Sequence, residues 1–134
     1  MDTQSKKHTI LVVEDEASLL MALVDKFTRE GFSVLEAKNG EEGLESALKN
    51  HPDMILLDIV MPRMDGMTML KKMRAVNAWG KQVPVIILTN LTSADDGRMR
   101  DMVQTEPAYY LVKTDWKIED VVAKVRDRLE TPHS

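Results

Sequence analysis

Acidic side chains directly follow two short apolar segments of this sequence. Glu14 and Asp15 come after residues 10–13, and Asp58 comes after residues 54–57. In an open parallel sheet, ligands bind beyond the carboxyl ends of the strands, so acids at two neighbouring strand ends are expected to converge there. Clustered carboxylates repel one another, and a hard divalent cation with oxygen ligands relieves that repulsion. The pattern favours a Mg²⁺ site over its alternative, a set of solvated strand-end acids.

A hydroxyl and an ammonium group end two further apolar segments. Thr89 follows residues 85–88, and Lys113 follows residues 110–112. At the same edge of a sheet, the hydroxyl can donate a hydrogen bond to a dianionic group on Asp58, and the ammonium can offset the charge of that group. Taken singly, each has a simpler interpretation, a strand threonine and a solvated surface lysine. Their shared position at strand ends favours a role in binding.

The strands and helices that must position these groups are predicted from a regular alternation of two sequence patterns. Short β-branched runs alternate with helical patterns, which predicts a parallel sheet with helices on both faces. An open sheet is expected, because a closed eight-unit barrel needs about 250 residues. The predicted strands are residues 10–13, 33–37, 54–57 with Asp58 at the end, 83–88 and 109–112.

Apolar residues at helical spacing predict the helices that connect these strands. Gly31 is expected to end the first helix, and Asn39 is expected to cap the second, which runs to about residue 50. The remaining predicted helices are one around Met69, Leu70 and Met73, a polar one over residues 93–104, and a last one over residues 121–129.

Composition and charge exclude several classes of function. A net charge of -4 with both signs scattered, and an aromatic content of 4%, do not suit a nucleic-acid-binding surface. The chain of 134 residues contains no cysteine, so disulfides and thiolate zinc sites are excluded. The apolar run at residues 10–13 is too short for a signal peptide or a membrane span. We therefore expect a cytoplasmic protein that binds neither nucleic acid nor membrane.

The segments that carry the candidate site resemble those of bacterial response-regulator receiver domains of two-component systems. The resemblance covers roughly residues 9–129 and rests on ILVVEDE (10–16), ILLDIVMPRMDG (55–66), VIILT (85–89) and YLVK (110–113). It implies a flavodoxin-like α/β fold, with an open five-stranded parallel sheet in the order 2-1-3-4-5 and helices on both faces. It also implies a stand-alone receiver domain of the chemotaxis type over residues 9–130. The sequence outside this range, residues 1–8 and 131–134, is interpreted as two short polar tails.

The same resemblance implies a role for each acid. Asp58 is expected to accept a phosphoryl group from a histidine kinase or a histidine phosphotransfer protein in a phosphorelay. Asp15 is expected to ligate Mg²⁺ directly, with Glu14 as the nearby acid. Asp58 itself and the main-chain carbonyl of Val60 would complete the metal site.

The remaining implied roles concern the phosphoryl group and the signal. Thr89 and Lys113 would hold the phosphoryl oxygens, and Thr89 together with the aromatic ring of Tyr110 would form the conformational switch. The signal would then pass to a downstream protein target. On this basis the chain is no enzyme, beyond assisting its own phosphorylation and dephosphorylation.

Rival functions remain at this point. A haloacid-dehalogenase-type hydrolase needs a second aspartate two residues after the nucleophile, where this chain has Val60. A flavodoxin needs a phosphate loop after the first strand, where Glu14 and Asp15 would repel the phosphate. The stronger rival is a receiver-like interaction module that is not phosphorylated. Asn90 and Thr114 favour it, because most receivers have a small residue and a proline at these places.

Overall fold

The strands and helices follow one another in the predicted alternation. The computed structural model describes residues 7–58, 63–89, 109–112 and 117–130, and for Thr89 and residues 109–112 it describes the backbone. The strands are β1 (Thr9–Val13), β2 (Ser33–Ala37), β3 (Met54–Asp58), β4 (Val85–Thr89) and β5 (Tyr109–Val112). The helices of these residues are α1 (Ala17–Arg29), α2 (Gly40–Asn50), α3 (Gly66–Val76), α4 (Ala78–Gln82) and α5 (Ile118–Glu130).

The described strands form one five-stranded sheet in the order β2-β1-β3-β4-β5. Every neighbouring pair is parallel, so all carboxyl ends lie at the same edge. This confirms the predicted α/β fold class and the strand order that the family resemblance implied. No helix within the described ranges has both the length and the apolar character needed to cross a lipid bilayer.

The sheet separates two hydrophobic cores. Successive side chains of a strand point to opposite faces, so a strand covered on both faces is apolar throughout. One core lies under α2 and α3 and contains Leu11, Val13, Ile55, Leu57, Val85, Ile87, Ala47, Met69, Leu70 and Met73. The other lies under α1 and α5 and contains Ile10, Val12, Met54, Leu56, Ile86, Leu88, Leu20, Leu23, Phe27, Val121, Val122 and Val125.

The fourth strand is shifted towards the carboxyl end of the chain relative to the sequence prediction. The fourth strand was predicted over residues 83–88, but β4 spans Val85–Thr89. Proline has no N–H to donate to the ladder, and Pro84 contributes its carbonyl oxygen, which accepts from the Ile55 N–H at 3.1 Å. The predicted helix over residues 93–104 lies outside the described residues.

The short helix α4 was not predicted, and its support is tertiary. The Asn77 side chain caps it by accepting a hydrogen bond from the Gly80 N–H at 2.7 Å. The Trp79 indole stacks on the His51 imidazole at the end of α2, with ring centroids 4.2 Å apart and an angle of 6°. A five-residue helix is too short to show a helical period, and it depends on tertiary contacts such as these.

A charged contact joins α5 to the end of α1 at the amino edge of the sheet. Arg126 donates to both the main-chain oxygen of Glu30 at 3.0 Å and its carboxylate at 2.8 Å. Its guanidinium also lies 5.2 Å from the centre of the Phe32 ring. The hydrogen bond from Arg126, and after it that from Lys26, holds the pKa of the Glu30 carboxyl below its usual value of 4.5. The ion pair between Arg126 and the Glu30 carboxylate therefore stabilises the fold only while Glu30 is ionised.

Replacing Arg126 by methionine is expected to change how stability depends on pH. A carboxyl whose pKa is lowered on folding contributes stability above its unfolded-state pKa, and the contribution disappears as pH falls through the folded-state pKa. The stability difference between wild type and Arg126→Met should therefore be largest at neutral pH and shrink at pH well below 4.5. Urea denaturation across this range measures it. A difference that stays constant with pH would contradict the prediction, and Arg128→Met on the same helix serves as the control.

Candidate functional site

The carboxyl edge of the sheet brings the predicted acids together. In the β1–β3 register, Val13 lies opposite Leu57, so Glu14 and Asp58 reach the same point at the ends of adjacent strands. Adjacent strands are only about 4.8 Å apart. The buried run before each acid fixes this position, because it keeps both strands in the middle of the sheet.

Three carboxylates converge at this point. Glu14, Asp15 and Asp58 each offer one oxygen, and the three oxygens lie within 4.8 Å of one another. Glu14 is 0% exposed and Asp58 is 3% exposed, whereas Asp15 is exposed to solvent. Glu14 and Asp58 are removed from water beside Asp15, so the three carboxylates repel one another. A divalent cation that binds oxygen ligands offsets that repulsion. The oxygen-only donor set suits Mg²⁺, which binds through one or two carboxylates and keeps several waters.

Glu14 is held at both its backbone and its side chain. Its N–H donates to the carbonyl oxygen of Ala37 at the end of β2, at 3.0 Å. Its carboxylate oxygen Oε2 accepts from the Glu16 N–H, also at 3.0 Å, as the chain turns towards α1. The strand end and the following turn therefore fix this acid in place before any ligand binds.

The strands place two of the remaining predicted site residues, Thr89 and Tyr110. Thr89 ends β4, beside β3, and its neighbour Leu88 pairs with Asp58. Tyr110 lies in β5 opposite Ile87 of β4. β5 ends at the same carboxyl edge with Val112, the residue before Lys113 in the sequence. Lys113, like Val60 and the variant positions Asn90 and Thr114, lies outside the described residues.

Sequence reasoning missed a contact beside the acids. The Gly40 N–H, at the first residue of α2, donates to the carbonyl oxygen of Met64 at 2.9 Å. Met64 belongs to the segment that leads from Asp58 into α3, and its neighbour Arg63 has a left-handed backbone with φ of 69°. The pair Asn39-Gly40 was the available signal. The predicted helix cap at Asn39 is confirmed, because its side chain accepts from the Glu42 N–H at 2.9 Å.

The family model of the response regulator receiver domain matches residues 10–126. The chain belongs to this family. It is a receiver domain of two-component signal transduction, and the matched residues contain the whole acidic cluster.

Known proteins similar to this receiver include single-domain and larger ones. It is 33% identical to the chemotaxis protein CheY of Bacillus subtilis over 107 residues, which are 79% of this chain and 85% of that protein. It is 37% identical over 113 residues, 84% of this chain, to a protein-glutamate methylesterase/protein-glutamine glutaminase of Archaeoglobus fulgidus. The receiver spans only part of the larger relatives, from 31% of that methylesterase to 52% of the transcriptional regulatory protein PrrA of Mycobacterium tuberculosis.

A solved structure with the same fold is the CheX–CheY–BeF₃–Mg²⁺ complex from Borrelia burgdorferi. The receiver superimposes on that chain with a TM-score of 0.77 and 27% sequence identity. The match covers 90% of this chain and 88% of the other. The fold and family therefore agree with the expectations drawn from the four sequence segments.

Proposed function

We propose that this receiver, over residues 9–130, accepts a phosphoryl group on Asp58 and signals through the resulting change of conformation. The donor is a phosphohistidine of a histidine kinase or a histidine phosphotransfer protein. One observation carries the proposal: Asp58 ends the central strand β3, 3% exposed, with carboxylate oxygens of Glu14 and Asp15 within 4.8 Å. A nucleophile at the open edge of a sheet, next to a cation site, is what phosphoryl transfer to a carboxylate needs.

In the proposed step, a carboxylate oxygen of Asp58 attacks the phosphorus of the phosphohistidine. The new bond is a carboxyl–phosphate bond, and the phosphorus–nitrogen bond of the donor breaks. Its electron pair remains on the imidazole nitrogen, which takes up a proton. The protein supplies positioning rather than covalent help, because the transferring group is stabilised mainly by neighbouring positive charge.

The acids that surround Asp58 would repel a phosphoryl group unless a cation is present. Glu14, Asp15 and Asp58 fit a Mg²⁺ ion by donor type and by the closeness of their oxygens. The main-chain carbonyl of Val60 is the proposed additional ligand. When bound, Mg²⁺ supplies the positive charge that offsets the negative charge on the phosphoryl oxygens. The Borrelia CheY structure, a complex that includes Mg²⁺ and BeF₃, supports this assignment.

Thr89 and Lys113 are proposed to hold the phosphoryl oxygens once the group is on Asp58. Thr89 ends β4 at the same edge as Asp58, and β5 ends there at Val112, the residue before Lys113, which supports the assignment. A hydroxyl group can donate a hydrogen bond to a phosphoryl oxygen, and an ammonium group can offset its negative charge. Movement of Thr89 towards the phosphoryl group, followed by Tyr110, is the proposed switch that a downstream protein detects.

Mass spectrometry of the intact protein tests the proposal. After incubation with Mg²⁺ and acetyl phosphate, the wild-type chain should gain the mass of one phosphoryl group, and Asp58→Asn should gain none. Asp53→Asn is the matched control, because Asp53 precedes the same strand at the opposite edge, where it accepts from the Thr9 N–H at 2.8 Å. Equal uptake by Asp58→Asn would assign the acceptor elsewhere. No uptake by the wild type from any donor or kinase would favour the non-phosphorylated interaction module.

A further inference from the structure

The turn between β2 and α2 connects the two segments that carry the acids. At one end, the carbonyl oxygen of Ala37 accepts from the Glu14 N–H at 3.0 Å. At the other end, the Gly40 N–H donates to the carbonyl oxygen of Met64 at 2.9 Å. Glu14 follows β1, and Met64 lies on the segment that begins at Asp58. The turn therefore contacts both segments, Glu14 through Ala37 and Met64 through Gly40.

The contact between residue 40 and Met64 requires a glycine at position 40. A Cβ built on Gly40 would overlap the carbonyl oxygen of Met64 and lie 2.7 Å from its carbonyl carbon. Real Cβ atoms essentially never approach other atoms more closely than 3.0 Å. The obstacle is main chain rather than a flexible side chain, so any larger residue must push the turn and the Met64 backbone apart.

The turn is stiff enough to transmit such a displacement. Asn39 is buried and caps α2, and the Glu42 carboxylate accepts in return from the Lys38 N–H at 3.0 Å. A second contact between α2 and the segment before α3 is the exposed ion pair of Arg63 and Glu41, whose charged atoms are 3.2 Å apart. On the other side, the Asp65 side chain caps α3 by accepting from the Thr68 N–H at 2.8 Å. The Met64 backbone thus sits between a capped helix and the Gly40 contact.

We propose that Gly40 is a positioning residue for the acidic site. It touches neither a cation nor a phosphoryl group. It acts through its contact with Met64, which keeps the β2–α2 turn in place, and with it the Ala37 carbonyl oxygen that accepts from the Glu14 N–H beside the converging carboxylates. The inference rests on the proposed Mg²⁺ site and assigns a residue outside the acidic cluster to it.

A pair of glycine variants separates positioning from stability. Gly80 is the matched control, since a Cβ there would also overlap a main-chain oxygen, that of Met73. Gly80 lies in α4, which precedes β4 and therefore faces the opposite edge of the sheet. Both Gly40→Ala and Gly80→Ala should lower the urea midpoint. Only Gly40→Ala should weaken Mg²⁺ binding, by about tenfold, the effect typical of residues that orient metal ligands.

Titration calorimetry with Mg²⁺ on the three folded proteins gives the decisive comparison. The dissociation constant of Gly80→Ala should stay within about twofold of wild type, because its disturbance lies away from the acids. A Gly40→Ala variant that binds Mg²⁺ as tightly as wild type would overturn the inference and leave the metal site intact. Failure of wild type and Gly80→Ala to bind Mg²⁺ would instead overturn the metal site, and the inference with it.

A measurement on the wild-type protein does not depend on whether Gly40→Ala folds. If the Gly40 contact and Mg²⁺ binding favour the same arrangement, each must strengthen the other. Saturating Mg²⁺ should then slow hydrogen exchange of the Gly40 amide. The Gly80 amide, which donates to Asn77 at 2.7 Å, should be unaffected. Equal changes at both amides, or none at Gly40, would contradict the positioning role.

Discussion

Mg²⁺ is expected to raise the free energy of unfolding of this receiver by about 2.7 kcal/mol when free Mg²⁺ reaches about a hundred times its dissociation constant. A cation that binds only the folded chain stabilises it by mass action. The folded state alone brings the oxygens of Glu14, Asp15 and Asp58 within 4.8 Å of one another. Urea denaturation with and without Mg²⁺, at constant ionic strength, measures the gain.

Asp15→Asn is expected to abolish most of that gain. It removes a charged ligand and leaves a neutral amide that Mg²⁺ binds weakly. Because Asp15 is the exposed member of the cluster, its replacement disturbs little packing. In Mg²⁺-free buffer the variant should be at least as stable as wild type, since repulsion within the cluster is reduced.

The control removes one negative charge away from the site. Glu45 lies on the exposed face of α2, so Glu45→Gln changes the net charge by the same amount as Asp15→Asn. Glu45→Gln should keep the full response to Mg²⁺. An equal response in Asp15→Asn would show that Mg²⁺ stabilises the chain through general screening of charge, and the acidic site would lose its support.

Phe27→Ala is expected to lower the free energy of unfolding by about 3–5 kcal/mol. Phe27 is fully buried in α1, and its ring meets that of Phe32 edge to face with centroids 5.4 Å apart. Truncation removes this contact and leaves a cavity between the helix and the sheet. Domains of this kind are typically stable by only about 5–15 kcal/mol, so the variant should be close to unfolding at physiological temperature.

Met21 provides the comparison on the same helix. Its side chain is 71% exposed, so Met21→Ala should change the stability by no more than about 0.5 kcal/mol. Urea titrations followed by circular dichroism measure both variants. Similar losses for Phe27→Ala and Met21→Ala would contradict the placement of α1 with Phe27 towards the sheet.

Strand-end residues were the part of the site that the sequence predicted well. A run such as residues 54–57 is apolar at every position, which identifies a buried strand and places Asp58 at its end. Glu14 is located by the same reasoning. The strand order came from the family resemblance, because periodicity does not say which strands are neighbours.

Features that depend on contacts between distant residues were not predictable. Helix α4 has no period to detect, and it is stabilised by the stacking of Trp79 on His51. Gly40 shows no positive φ, so its need for glycine appears only when Met64 is placed against it. Arg63 adopts φ of 69° without being glycine or asparagine, the residues that usually signal this conformation.

Each face of the sheet has its own hydrophobic core, so the packing on one face can be changed by substitution without changing the packing on the other. Leu57 packs with α2 and α3, whereas its neighbour Leu56 packs with α1 and α5. Substitutions on opposite faces share few partners, so their energetic effects should be nearly additive. The helices of one face could therefore be redesigned, for instance to recognise a different partner, while the packing of the opposite face is retained.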